Sequence, residues 1–145
     1  MAYSVQADIE ARLGVKSVIG LSNDTPNATT VDAALIVKLI ARADGIIDAQ
    51  VKQVYAVPLS PVAEVIKGIS VDLTCFFLLQ RRYSGTDIPS DWQQTYKDAI
   101  QILKDIADLK VSLPNISAVA SPEAAIVAPP RALDFTDDTR QESFY

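Results

Sequence analysis

From Ile66 to Leu79 the chain reads IKGISVDLTCFFLL, a stretch that is apolar on most sides of a helix. A helix of that kind is stable only when other helices surround it. The run is interrupted by Lys67, Asp72 and Thr74, and it is too short to span a bilayer. It therefore predicts the central helix of a bundle, running from Pro61 to about Arg82. Ser60 is expected to cap it, with Pro61 at the first helical position. Arg81 and Arg82 sit at its C-terminal end, where positive charge suits the helix dipole.

Three further helices can be read around it. Ser4 to Leu13 is expected as a short helix, with Ser4 as cap, Val5, Ile9 and Leu13 on one apolar face, and Gly14 as its stop. GLSNDTPNATT at 20–30 reads as a loop, rich in residues that favour turns. Thr29 or Thr30 then caps a long helix to about Tyr55, with Val31, Leu35, Leu39, Ala43, Ile46, Ile47, Val51 and Val54 as its buried stripe. Gly45 inside it is explained by a close helix crossing or by a bend. Ser90-Asp91-Trp92-Gln93 has the pattern of a capping box and opens a last helix to about Leu109. Trp92, Tyr96, Ile100 (or Ala99), Leu103 and Ile106 form its inward stripe. The fold class is thus all-α: a small bundle of about four helices, two of them long, over residues 1–110, followed by an extended C-terminal arm at 111–145.

The residue inventory narrows the chemistry. There is no histidine in the 145 residues, which removes the commonest general acid–base group and the commonest transition-metal ligand. The single cysteine, Cys75, lies beside Phe76 and Phe77 and reads as a buried inert thiol in a protein made in the reducing cytoplasm. A net charge of -5 argues against broad nucleic-acid binding. The opening MAYSVQADIEARLG has no basic region followed by an apolar core, so no secretion signal is expected. Asp44 with Asp48, and Asp105 with Asp108, share helix faces and read as solvated surface rather than as a divalent-ion site. Asp72 is a charge inside an apolar run, so it either faces a neighbouring subunit or pairs with an arginine within the fold. No catalytic, cofactor or metal site is expected, and the chain is not expected to be an enzyme.

The arm poses the remaining question. Val111 to Tyr145 holds no helical or strand period for long, yet it carries Leu133, Phe135, Phe144 and Tyr145, which favour burial. Aromatic side chains dominate interface energetics, and Arg131 and Arg140 can add bidentate pairs. Ordering such a segment costs more backbone entropy than one wall of a small bundle can offset, so the arm is expected to fold on a partner or to act as a solubilising tail.

MAYSVQADIEARLG, DGIIDAQVKQVYAVPLSP and DWQQTYKDAIQILKDIADLKVSLP together resemble a family of tailed-phage proteins, the small helical head–tail connectors of the Mu-like prophage type. The resemblance covers residues 1–114 and is carried most by Ile47-Asp48, Tyr55, Pro58 and Leu59. It implies a structural virion protein at the neck, forming a ring, typically a dodecamer, beneath the portal protein. Such a ring extends the DNA channel and presents a surface to the tail or to a further neck protein, with no membrane involved and no cofactor. It also implies that the arm residues Arg131, Leu133, Phe135, Arg140, Phe144 and Tyr145 dock on the portal.

A ring needs two different faces of each subunit to match. The wet face of helix 30–55, with Lys38 and Arg42, is expected to meet a neighbour's face from helix 90–109, and Asp72 is a further candidate for the subunit interface. A net acidic ring would let DNA pass without sequence-specific binding. The competing reading is a non-virion helical module whose tail binds a host or regulatory protein. A carboxylate-dependent enzyme is the third.

Overall fold

The computed structural model describes residues 1–83 and 87–119. Among these, five helices and no strands are found: α1 (Gln6–Leu13), α2 (Val15–Ser22), α3 (Ala33–Val51), α4 (Glu64–Arg82) and α5 (Ser90–Ala107). The all-α bundle is as expected, and α4 is its centre, packing against each of the other four helices. The apolar run accounts for this placement: Ile66, Ile69, Val71, Leu73, Cys75, Phe77, Leu78 and Leu79 are all buried, on several sides of one helix.

The core has two parts, and α4 contributes to both. The larger joins Ala43, Ile47 and Val51 of α3 to Ile66, Leu73 and Phe77 of α4 and to Ala99, Leu103 and Ile106 of α5. The smaller lies under the N-terminal helices, where Ile9 and Val18 meet Ile36, Ile40, Val71, Cys75 and Leu78. Phe76 stacks on Tyr96 with ring centroids 4.4 Å apart, joining α4 to α5.

Several expectations about helix ends are corrected. Helix α2 takes up the start of the expected loop: Val15, Val18, Ile19 and Ser22 recur at helical spacing, and Gly14 at φ 83° ends α1 as expected while turning the chain directly into α2. Asp32, not Thr29 or Thr30, caps α3, accepting the Leu35 amide at 3.1 Å. That helix ends at Val51 rather than Tyr55, because the next turn is bent to bring Tyr55 and Leu59 into the core. Helix α4 begins at Glu64 with Ala63 as cap, so Ser60 and Pro61 lie before it. Tertiary contact outweighs the local start signal here: Leu59 and Ala63 are both buried, which holds the 59–63 stretch out of the helix. At α5, Pro89 is the cap residue, and the Gln93 amide reaches back to the Ile88 carbonyl at 2.9 Å instead of closing a box with Ser90.

Ser4 does not cap α1. It is buried against Ser70, and the α1 terminus is closed by Asp8, which accepts the Val5 amide at 2.9 Å. The expected arm is in part laid on the bundle. Leu113 is buried, Ile116 packs against the larger core, and the Val119 amide donates to the Val54 carbonyl at 2.6 Å.

Candidate functional site

A polar network pins the N-terminal segment to α3 and α4. The Tyr3 amide donates to Asp44 Oδ2 at 3.0 Å, and Ser70 Oγ donates to Asp44 Oδ1 at 2.7 Å. A serine hydroxyl has one proton, so the 2.8 Å contact between Ser4 and Ser70 is donated by Ser4. The Tyr3 hydroxyl donates to Asp48 and accepts the Leu59 amide at 2.9 Å. Asp44 is therefore buried, not solvated surface, whereas Asp48 is half-buried at the rim.

Burial raises the Asp44 carboxyl above its ordinary value of 3.8, against the lowering effect of its bonds from Ser70 and Tyr3. The charge of Asp48 pushes the same way, and the amino terminus pulls slightly back. The Tyr3 phenol is pushed up to about 12, first by burial and then by its bond to Asp48. Among the described residues no cation lies within ion-pair distance of Asp44 or Asp48.

Beside this network runs an open groove of about 540 Å3 between the N-terminal segment and α3. Val5, Val37, Ala41, Asp44 and Gly45 line it, with Asp48 the lining residue furthest along α3. Val5 and Val37 are 57% and 64% exposed, which marks the groove as uncovered apolar surface. Gly45 opens onto it with nothing within 4 Å of where a Cβ would stand, so no helix crosses there within the subunit.

The expected interface residues are distributed as follows. Lys38 and Arg42 are exposed on α3, and the Arg42 guanidinium lies 4.0 Å from the Phe77 ring centroid. Asp72 pairs within the fold, its Oδ1 3.1 Å from Arg12 Nε, and Arg12 also sits 5.2 Å from the Trp92 ring centroid. One arginine thus links α1, α4 and α5. The arm residues Arg131, Leu133, Phe135, Arg140, Phe144 and Tyr145 lie outside the described residues.

The exposed face of α3 is basic, and one flank of α5 is acidic, while Lys97 and Lys104 are exposed on the other flank of α5. Lys38, Arg42, Gly45, Ala49 and Lys52 follow the spacing of one helix face and are all exposed. Asp91, Asp98 and Ile102 are exposed along the acidic flank of α5, the half-buried Asp105 falls on the same line, and Leu109 continues it beyond the helix. Asp105 and Asp108 meet Lys110 at 3.6 and 3.4 Å. No ion pair joins the two faces within the chain among the described residues.

Other chemical candidates have structural employment. Burial and then the charge of Asp72 push the Cys75 thiol up to about 12, so it holds its proton at neutral pH. Arg81 bonds Asp24 and donates to the Leu21 carbonyl at 3.1 Å, closing the end of α2 as well as its own. Among the described residues no three His, Cys, Asp or Glu side chains converge, and no helix is long and apolar enough to cross a membrane.

The described residues form an all-helical bundle with uncovered charged and apolar surface. Its sequence places it more narrowly: residues 3–128 match the family described as bacteriophage Mu, Gp36. The chain belongs to that family, which makes it a Mu-like phage protein. No curated protein matches it significantly.

Proposed function

We propose that this protein is a non-enzymatic structural component of the virion, a head–tail adaptor that forms a ring beneath the portal. In this role it extends the DNA channel, links capsid to tail, and docks its C-terminal arm on the portal protein. The observation that carries the reading is the charge difference between the basic exposed face of α3, at Lys38, Arg42 and Lys52, and one acidic flank of α5, at Asp91, Asp98 and the half-buried Asp105. A closed ring is built from head-to-tail contacts, so each subunit must offer two unlike, mutually complementary surfaces. Membership of a phage family supports the setting. Acidic charge overall, -5 per chain, suits a channel through which DNA slides without sequence-specific contact.

The test is copy number. Quantitative mass spectrometry of purified particles should give this protein in roughly one-to-one ratio with the portal protein, as matched rings require. Absence from particles would remove the adaptor reading and favour a non-virion interaction module that binds a host protein through its tail.

A further inference from the structure

We propose that the groove between the N-terminal segment and α3 is the seat of the chain's own segment Arg131–Phe135 in the free subunit. The groove offers uncovered apolar surface at Val5, Val37 and Ala41, and, toward the C-terminal end of α3, the half-buried carboxylate of Asp48, which has no cation within ion-pair distance among the described residues. The segment RALDF offers the matching sequence. In an extended chain, side chains at alternate positions share a side, so Arg131, Leu133 and Phe135 point one way and Ala132 and Asp134 the other. Arg131 then meets Asp48, and Leu133 and Phe135 cover the apolar floor.

The lengths agree. Val37 to Asp48 spans roughly 16 Å of helix at ~1.5 Å per residue. Arg131 to Phe135 spans roughly 13 Å in extended form at ~3.3 Å per residue, before the arginine side chain is added. The direction agrees as well. The Val119 amide is tied to the Val54 carbonyl, six residues past Asp48, so the chain starts from the carboxylate end of α3. Arg131 lies twelve residue steps beyond Val119, enough to reach roughly 40 Å. Pro129 and Pro130 stand just before Arg131 and favour an extended approach. Fixing five residues costs a small part of the entropy of fixing the whole arm. Phe144 and Tyr145 are left for a partner. This seat does not depend on the virion role: it is a property of the isolated chain.

The test is disulfide trapping in the full chain, with Cys75 left in place because it is buried and keeps its proton. Ala41→Cys with Leu133→Cys is oxidised mildly at low protein concentration and compared with Ala41→Cys with Ser143→Cys. The expected result is an intramolecular link that forms about tenfold faster in the Leu133 pair, from the higher effective concentration of a seated segment. Adding Arg131→Glu should remove that advantage. Equal rates in the two pairs would overturn the proposal, and so would a link that forms chiefly between two chains, which would make the occupant a second copy. Copy number in particles is unaffected by either result, so the two readings fail separately.

Discussion

The Tyr3 hydroxyl accepts the backbone amide of Leu59 at 2.9 Å, joining residues 56 positions apart. Tyr55 does the same for Leu113 at 3.2 Å. Two phenols thus close two irregular stretches, the turn before α4 and the segment after α5. Each takes a buried amide that would otherwise have no partner. Tyr3 also donates to Asp48, so one side chain ties the N-terminal segment, α3 and the 59–63 stretch together.

Tyr3→Phe should therefore destabilise the bundle by about 1–3 kcal/mol, since it leaves the Leu59 amide buried and unpaired. Urea unfolding measures this. A loss within error would mean that water replaces the phenol.

The Asp44 network has a pH signature. Its carboxyl is raised by burial, so the folded state binds that proton more tightly than the unfolded state. The resulting stabilisation is complete below the unfolded value of 3.8 and is lost as pH rises through the raised folded value. Asp44→Asn cannot ionise. The variant should gain stability relative to the native chain as pH rises from about 4 to 7, even if its altered bonds to Ser70 and Tyr3 lower it at every pH. Unfolding at several pH values checks the slope; a difference independent of pH would contradict it. Asp8 contributes in the opposite sense. Its bond from the Val5 amide, followed by Lys67, lowers its carboxyl, so its stabilisation is lost as pH falls through that lowered value.

Gly45→Ala is expected to stabilise the subunit by about 0.5–1 kcal/mol, because a helical interior prefers alanine and nothing stands where its Cβ would go. Thermal unfolding of the isolated chain reads the gain. A loss of stability would show that the groove is tighter in solution than its open geometry.

The paired charges predict assembly. In the proposed ring, Lys38→Glu with Arg42→Glu should weaken association between neighbouring subunits by about tenfold or more. Asp98→Lys with Asp105→Lys in the same chain should restore it. Mass photometry gives the ring population, and circular dichroism controls for the fold, because Arg42 also lies over Phe77. Unchanged ring formation in the charge-reversed protein would show that these faces do not meet.

What the sequence determined by itself is the all-α class, the central position of α4 and the main stripes of α3 and α5. These follow from local repetition: Leu35, Leu39, Ala43 and Ile47 mark a face without reference to anything distant. Leu103 and Ile106 do the same on α5. Helix α2 was also legible in Val15, Val18 and Ile19, but short apolar periods are weak beside a glycine and a polar loop. Tertiary structure decided the rest. A carboxylate at position 44 is solvated on a lone helix; it is buried here because Tyr3 and Ser70, 41 and 26 residues away, bring donors to it. Asp72 had a neighbouring subunit or an arginine open to it, and the return of α1 across α4 supplies Arg12. Ser60 and Pro61 carry a helix start signal, yet Leu59 and Ala63 draw that stretch into the core. The capping preference is worth about 1 kcal/mol, less than the roughly 1.5–3 kcal/mol gained by burying one leucine. Local pattern sets which face of a helix is apolar, and only the assembled neighbours set which polar groups that face takes inside.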